Sequence, residues 1–208
     1  NLNLLAYCGY PTWTREQHDH RPEDWLGRYV VKAAKRDMEA LQKGYVVTGQ
    51  PPVKYNDKNY QLLVDRAAAW LGDQVKGLNT PVVLVAIPNS QATKEATDFG
   101  TKRLVELVAR HAGANCTPYS GLRFIVPQPP SHDGGSRDKA AIQRNLTLTA
   151  SIPPGRIVLF DDVCTSGAHL FAAQRLLRPR PADLAITFGR TFGAPPAKMI
   201  ELGPEELS

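Results

Sequence analysis

The chain has 208 residues, of which 42% are hydrophobic and 22% charged, a composition typical of a globular protein rather than a disordered or fibrous one. No apolar run approaches the roughly 20 residues of a membrane-spanning helix, and no secretion signal is visible, so we expect a cytoplasmic protein without a membrane partner. The formal charge of +5 suits an anionic small molecule or nucleic acid, but the cations are scattered and the charge alone decides neither.

Residues 1–77 are predicted to be mainly helical. Residues 1–20 show no clear period and are expected to be irregular. Pro22, followed by two acidic residues, is typical of a helix start, and apolar residues near one stripe extend that helix over about residues 22–43. A second helix is predicted over about residues 57–76. This part forms either a separate cap or helices packed on a sheet, and the pattern leaves both open.

After Gly77 the pattern changes to short apolar runs that alternate with helices. The run PVVLVAI at residues 81–87 is typical of a strand buried on both faces of a parallel sheet. Further strands are predicted at residues 122–126, 157–160 and 184–188, with helices ending near residue 111 and spanning about residues 138–145 and 167–177. We therefore expect an α/β fold over residues 78–208, with an open, mostly parallel sheet flanked by helices, and an added N-terminal helical part.

The segment Ile157–His169 carries the clearest chemical signal. Its apolar strand is followed by Asp161 and Asp162, at the end of a strand where ligands bind in open α/β sheets. The small and hydroxyl residues of Thr165–Gly167 then lead into a helix, whose first backbone N–H groups form a cradle for an anion. Phosphate donors beside two acceptors suited to a diol predict a phosphorylated sugar as the ligand.

This segment resembles the 5-phosphoribosyl-1-pyrophosphate (PRPP) signature of type I phosphoribosyltransferases, which has four apolar residues, two acidic residues and a Thr-Ser/Thr-Gly turn. The resemblance implies that Asp161 and Asp162 hold the ribose 2- and 3-hydroxyls and, indirectly, Mg²⁺. The residues that it implies for the 5-phosphate are Cys164, Thr165, Ser166, Gly167, Ala168 and His169. The family often has Thr or Ser where this chain has His169, which is either a donor to the phosphate or a solvated first-turn residue.

Two further segments stand where the family has functional loops. The residues implied for pyrophosphate, through backbone N–H groups, are Pro88, Asn89, Ser90 and Gln91. The loop of residues 127–139, rich in Pro and Gly, would be a mobile lid, and its cations Arg137 and Lys139 would stabilise the leaving group. Residues 136–145 also show a weak similarity to the competence-associated ComF-like branch, but this sequence lacks the N-terminal zinc ribbon of that branch.

The resemblance implies an enzyme that transfers phosphoribose from PRPP to an unidentified nitrogenous acceptor, with Mg²⁺ as cofactor. The implied catalytic residues are Asp161, Asp162, Arg137 and Lys139. The expected partners are these small-molecule substrates, and a homodimer is compatible with the sequence. Residues 1–77 or the tail after Arg190 are the candidates for the hood that binds the acceptor.

The first alternative function is a non-catalytic regulator that senses PRPP or a nucleotide and acts on nucleic acid, which we expect less than the enzyme. A cationic helix face would support it, formed by Lys32, Lys35, Arg36 and Lys43. A second alternative is hydrolysis or phosphorolysis of a nucleotide at the same pocket. A metal site at His18-Asp19-His20 is disfavoured, because a lone His-x-His in a charged stretch is typical of a solvated turn. The three cysteines include no C-x-x-C pair, which argues against a disulfide framework and a cysteine zinc site.

Overall fold

A computed structural model describes residues 1–47, 53–89, 92–93, 99–127, 139–178 and 180–207. The helices within these residues are α1 (Pro22–Lys35), α2 (Met38–Lys43), α3 (Gln61–Lys76), α4 (Gly100–Ala112), α5 (Lys139–Asn145) and α6 (Ala168–Leu176). The strands are β1 (Leu2–Pro11), β2 (Tyr45–Val47), β3 (Val53–Tyr55), β4 (Val82–Ala86), β5 (Cys116–Tyr119), β6 (Leu122–Phe124), β7 (Leu146–Leu148), β8 (Arg156–Cys164), β9 (Leu184–Phe192) and β10 (Glu205–Leu207).

Six of these strands form the main sheet, in the order β10-β1-β9-β8-β4-β5. Every neighbouring pair is parallel except β10 and β1, which are antiparallel. β4 is buried at all five positions, because its residues are all apolar and helices cover both faces of the sheet. The predicted α/β fold, with an open and mostly parallel sheet flanked by helices, is confirmed.

Helices cover the two faces of the sheet in different groups. The helices α1, α3 and α4 contribute to the apolar core on one face, and α5 and α6 contribute to the core on the other. The helix after β4 therefore lies on one face, and the helix after β8, the neighbouring strand, lies on the opposite face. This change makes the boundary between β4 and β8 a topological switch point, and the crevice outside the carboxyl ends of such strands is where ligands bind in open α/β sheets.

The first strand was not expected, because residues 1–20 were predicted to be irregular. Leu2–Pro11 instead forms β1, between β10 and β9 in the main sheet, and residues 4–9 are buried. A strand that is buried on both faces does not alternate between apolar and polar residues, so a period of two gives no signal here. Of the two alternatives for the N-terminal helices, α1 and α3 pack on the sheet; the division of the chain after residue 77 stays a prediction.

The single helix predicted over residues 22–43 is divided into α1 and α2. Arg36 adopts a left-handed backbone with a φ of 56° and ends α1. Asp37 then begins α2, because its carboxylate accepts a hydrogen bond from the backbone N–H of Ala40 at 3.2 Å. The apolar period runs through this junction, so it does not reveal the break. The next helix, α3, begins at Gln61 rather than near residue 57.

Two predicted strands differ from the observed ones. The strand predicted at residues 122–126 is β6, which pairs antiparallel with β7 in a separate two-stranded sheet and is not part of the main sheet. The strand predicted to end at residue 160 continues as β8 through both aspartates to Cys164, because its pairing with β9 continues to that point. The short strands β2, β3, β5, β7 and β10 were not predicted, since each has only three or four residues, too few to produce a pattern.

Helix α1 lies across the strands of the sheet rather than along one of them. An added Cβ at Gly27 would overlap a backbone carbonyl oxygen of β1, and Val31 occupies the space where a Cβ of Gly189 in β9 would lie. One turn later, Lys35 lies beside Asp162 of β8. Successive turns of a helix are about 5.4 Å apart and neighbouring strands about 4.8 Å apart, so α1 contacts one strand per turn, near the carboxyl end of each.

Among the described residues, no helix combines the length and the apolar character that crossing a membrane requires.

Candidate functional site

The carboxyl ends of β4 and β8 lie side by side at the switch point. The backbone N–H of Ile87, directly after β4, donates to the carbonyl oxygen of Phe160 in β8 at 2.8 Å. This bond places the turn after β4 next to Asp161 and Asp162 of β8. Two segments that the family resemblance implied as parts of one site therefore lie next to each other at the switch point.

The two aspartates are partly buried and are held by local hydrogen bonds. Asp161 accepts from the backbone N–H of Asp162 at 2.8 Å, and Asp162 accepts from the backbone N–H of Val163 at 2.7 Å. Burial, followed by the charge of Asp162, raises the pKa of Asp161 well above its usual range, and the nearby charge of Lys35 opposes this shift. A ligand that offers hydroxyl donors or a cation would relieve the repulsion between the two carboxylates.

The turn after β8 leads directly into the N-terminus of α6. Thr165 and Ser166 are exposed, while Gly167 is buried and adopts a left-handed φ of 68°. The first backbone N–H groups of an α-helix have no acceptor within the helix, and no side chain caps this end of α6. The helix dipole adds a partial positive charge at the same place. The turn can therefore bind an anion through backbone N–H groups and two hydroxyls.

Cys164 and Ala168 border this turn with their side chains buried. Burial raises the pKa of the Cys164 thiol to about 12, so the sulfur is protonated at neutral pH and is not a nucleophile. Any contribution of these two residues to anion binding comes from their backbone.

The ring of His169 is partly buried in the first turn of α6. It lies edge-on to Phe124 of β6, with 6.0 Å between the ring centroids. Desolvation lowers the pKa of His169 below its usual value, so the ring is neutral at pH 7. Of the two interpretations of this residue, full solvation does not fit its position, and a neutral ring can still donate one hydrogen bond to a phosphate.

The implied pyrophosphate residues lie in the turn that follows β4. Pro88 is buried and Asn89 is exposed, and the backbone N–H of Ala92 donates to the carbonyl oxygen of Asn89 at 3.0 Å. Ser90 and Gln91, which complete the predicted set, lie outside the described residues. The part of the turn that is described is thus at the carboxyl end of β4, beside the aspartates.

Of the two predicted lid cations, Arg137 lies outside the described residues, and Lys139 is the first residue of α5, with a side chain that is also outside the description. The chain segments on either side of residues 128–138 are joined by Asn145. Its side-chain amide donates to the carbonyl oxygen of Val126 at 2.8 Å and accepts from the Val126 N–H at 3.0 Å. The sequence placed this asparagine in a weak family pattern without assigning it this structural role.

Lys35 is the site residue that the sequence did not identify. Its Nζ lies 3.7 Å from a carboxylate oxygen of Asp162, although the sequence placed it on a cationic helix face. Nothing near Lys35 in the sequence indicates this contact, because it depends on how α1 crosses the sheet. Two other cations of the predicted face are also paired, Lys32 with Asp37 at 2.6 Å and Lys43 with Glu39 at 2.7 Å.

Among the residues that the structure describes, the aspartate pair supplies the carboxylates that a divalent cation could use at this switch point. Among the described residues, no group of three or more His, Cys, Asp or Glu side chains could hold a metal ion. His18 is exposed, and the ring of His20 stacks on Trp25 with 4.7 Å between the ring centroids. Mg²⁺ in proteins is usually held by one or two carboxylates together with phosphates of the substrate. The pair therefore fits an ion that arrives with a diphosphate.

We expect Gly167→Ala to weaken the binding of ribose 5-phosphate by about tenfold. A left-handed backbone costs an L-residue roughly 1–2 kcal/mol, so the turn would relax away from the shape that presents its N–H groups. Isothermal titration calorimetry measures the affinity, and urea unfolding measures the stability.

The matched control is Gly113→Ala, at the end of α4. Gly113 also has a positive φ, 88°, and an added Cβ there meets no atom within 4 Å. This variant should lose at least as much stability, because the ψ of −166° at Gly113 belongs to a region that essentially only glycine adopts, and it should keep its affinity for ribose 5-phosphate. Equal affinities for both variants would contradict the assignment of the anion site to this turn.

No protein-family model matches the chain, and no curated protein matches its sequence. Among solved structures, it is similar to a hypoxanthine phosphoribosyltransferase from Staphylococcus aureus, with 10% sequence identity and a TM-score of 0.38. The match covers 65% of this chain and 74% of that chain. A likeness this distant carries no conclusion about function, which has to be argued from the site itself.

Proposed function

We propose that this chain is a phosphoribosyltransferase that binds PRPP at the switch point between β4 and β8. The observation that carries the proposal is the junction of β8 and α6, where a carboxylate pair is followed by a left-handed glycine and an uncapped helix N-terminus. Acceptors for a diol and donors for a phosphate lie within one short segment. A ribose phosphate presents the two complementary groups on one small molecule.

The proposed roles follow from the chemistry of each segment. The turn Thr165–Gly167 and the first N–H groups of α6 bind the 5-phosphate. Asp161 and Asp162 accept hydrogen bonds from the ribose hydroxyls. The turn after β4 binds the pyrophosphate through its backbone, and the cations Arg137 and Lys139 would stabilise the charge of the same group.

In the proposed reaction, a nitrogen of the acceptor forms a bond to C1 of the ribose. The bond between C1 and the pyrophosphate oxygen breaks, and its electron pair leaves with pyrophosphate. Positive charge develops on the ribose ring in the transition state, and the aspartate pair stabilises it electrostatically. Mg²⁺ held through the aspartates and the substrate would neutralise charge on the leaving pyrophosphate.

The alternative, a regulator that binds nucleic acid, has less support. Two of the four cations in its predicted face, Lys32 and Lys43, each make a direct hydrogen bond to a carboxylate. Paired cations offer less net positive charge to a phosphate backbone, whose neutralisation supplies most of non-specific nucleic-acid affinity.

Two measurements test the proposal in sequence. Calorimetry with PRPP and Mg²⁺ should give a Kd on the order of 1 μM to 1 mM, the usual range of enzyme substrates. Release of pyrophosphate is then followed with a panel of purines, pyrimidines and pyridine carboxylates, and we expect it with at least one of them. Binding without release for every acceptor would favour the regulator, and an absence of PRPP binding would show that the proposed enzyme function is wrong.

A further inference from the structure

Helix α1 lies on one side of the proposed ligand site. It contacts β1, β9 and then β8, and its last residue, Lys35, lies beside Asp162 at the carboxyl end of β8. The next strand in this direction is β4, which carries the turn of the crevice. Lys35 therefore lies at the end of α1 nearest to β4, beside Asp162.

The backbone of α1 is fixed at this end. A guanidinium nitrogen of Arg103, in α4, donates to the carbonyl oxygen of Ala34 at 2.9 Å. The left-handed Arg36 ends the helix immediately afterwards, and its N–H bonds back to Ala33 at 3.1 Å. The anchored backbone holds the base of the Lys35 side chain in place.

The ammonium group of Lys35 can still change partner. At 3.7 Å from Asp162 it is beyond direct hydrogen-bonding distance, and 48% of its side chain is exposed. Lys32, one turn earlier, differs because its ammonium makes a direct hydrogen bond of 2.6 Å to Asp37. Lys35 therefore has N–H donors available for an anion that enters the crevice, and it can reach that anion by rotating its side chain.

The faces of the sheet indicate which part of a bound sugar Lys35 would contact. The proposed 5-phosphate turn leads into α6, which lies on the face opposite α1. The turn after β4 leads toward α4, which lies on the same face as α1 and is bonded to its end through Arg103. Lys35 is thus on the pyrophosphate side of the crevice.

We propose that Lys35 is a pyrophosphate-binding residue of this site. It belongs to the N-terminal helix α1, which would lie beside the bound ligand. This inference rests on the proposed function and adds to it a residue and an element outside the predicted core. On ligand binding, the ammonium group exchanges its loose pairing with Asp162 for charge-assisted hydrogen bonds to the diphosphate.

The test compares Lys35→Met with Lys35→Arg and with the matched control Lys32→Met on the same helix. Each is titrated with PRPP and Mg²⁺, with inorganic pyrophosphate and Mg²⁺, and with ribose 5-phosphate. We expect Lys35→Met to weaken PRPP and pyrophosphate by about tenfold, the usual effect of losing a hydrogen bond to a charged group. Ribose 5-phosphate affinity should not change, Lys35→Arg should keep most of the affinity, and Lys32→Met should match the wild type.

Several results would overturn the inference. An unchanged affinity for pyrophosphate, or tighter binding of it by Lys35→Met, would show that Lys35 does not contact that group. An equal loss for ribose 5-phosphate would show that Lys35 acts only through the aspartates. The failure of the proposed function gives a different result, because the wild type itself would then bind neither PRPP nor pyrophosphate, and both proposals would be wrong.

Discussion

Replacing Asp161 with Asn is expected to make the protein more stable at neutral pH and, at the same time, to abolish PRPP binding. Burial and the charge of Asp162 raise the pKa of Asp161, so the folded protein is penalised when Asp161 is ionised. An amide removes that charge and should therefore raise the free energy of unfolding at neutral pH. It also loses an acceptor for the ribose hydroxyls.

The stability gain should depend on pH in a defined direction. The pKa of Asp161 is higher in the folded state than in the unfolded state, so the protonated form is the one that folding favours. Below the ordinary aspartate pKa of about 4, both states are protonated and Asp161→Asn should match the wild type. As the pH rises from there through the higher folded-state pKa, the wild type loses stability relative to the variant. Urea unfolding at pH 4 and pH 7 measures the difference.

The binding part of this prediction is measured by calorimetry with PRPP and Mg²⁺, and affinity should fall by about 100-fold or more. Asp183→Asn is the control, because this exposed carboxylate lies before β9, at the opposite end of the strands, where it pairs with Arg156 at 2.8 Å. It should not change PRPP affinity. If Asp161→Asn binds PRPP as the wild type does, the aspartate pair is not the diol site. If the variant is less stable than the wild type at pH 7, the raised pKa of Asp161 is not the dominant effect of the substitution on stability.

Replacing Gly27 with Ala is expected to cost about 3 kcal/mol of stability, although alanine favours a helix interior by about 1 kcal/mol over glycine. The added Cβ would overlap the backbone carbonyl oxygen of Gly9, and a backbone atom inside the sheet cannot move aside as a flexible side chain can. Helix α1 would have to move away from the sheet, with loss of tight packing in the core. Urea unfolding should show a lower midpoint without a change in slope.

A matched control for Gly27→Ala is Gly100→Ala, in the first turn of α4. An added Cβ at Gly100 meets no atom within 4 Å, so this variant should have the stability of the wild type or slightly more. Since α1 carries Lys35, Gly27→Ala should also weaken pyrophosphate binding where it remains folded. A change in stability below about 0.5 kcal/mol, the usual effect of a neutral surface substitution, would contradict the close packing of α1 on β1.

The contiguous part of the candidate site could be predicted from the sequence. The run of apolar residues before Asp161, the Thr165–Gly167 turn and the helix after it belong to one short segment, so local pattern determines their arrangement. The strand β4 was also predicted, because its five apolar residues have a single interpretation in a buried parallel sheet. The predicted end of β8, at residue 160, was too early, because pairing with β9 extends the strand beyond its apolar residues.

The other features of the fold and of the candidate site were determined by tertiary contacts alone. The sequence by itself determined an α/β core with a strand, a turn of small and hydroxyl residues and a helix beside two carboxylates, since each of these depends on neighbouring residues. It did not determine that Leu2–Pro11 is a strand of the same sheet, or that Lys35 reaches Asp162. Both depend on contacts between residues far apart in the chain: β1 is placed by backbone pairing with β9, and the path of α1 by its close approach to glycines in β1 and β9. Such contacts have no local period, so they become visible only when the chain is folded.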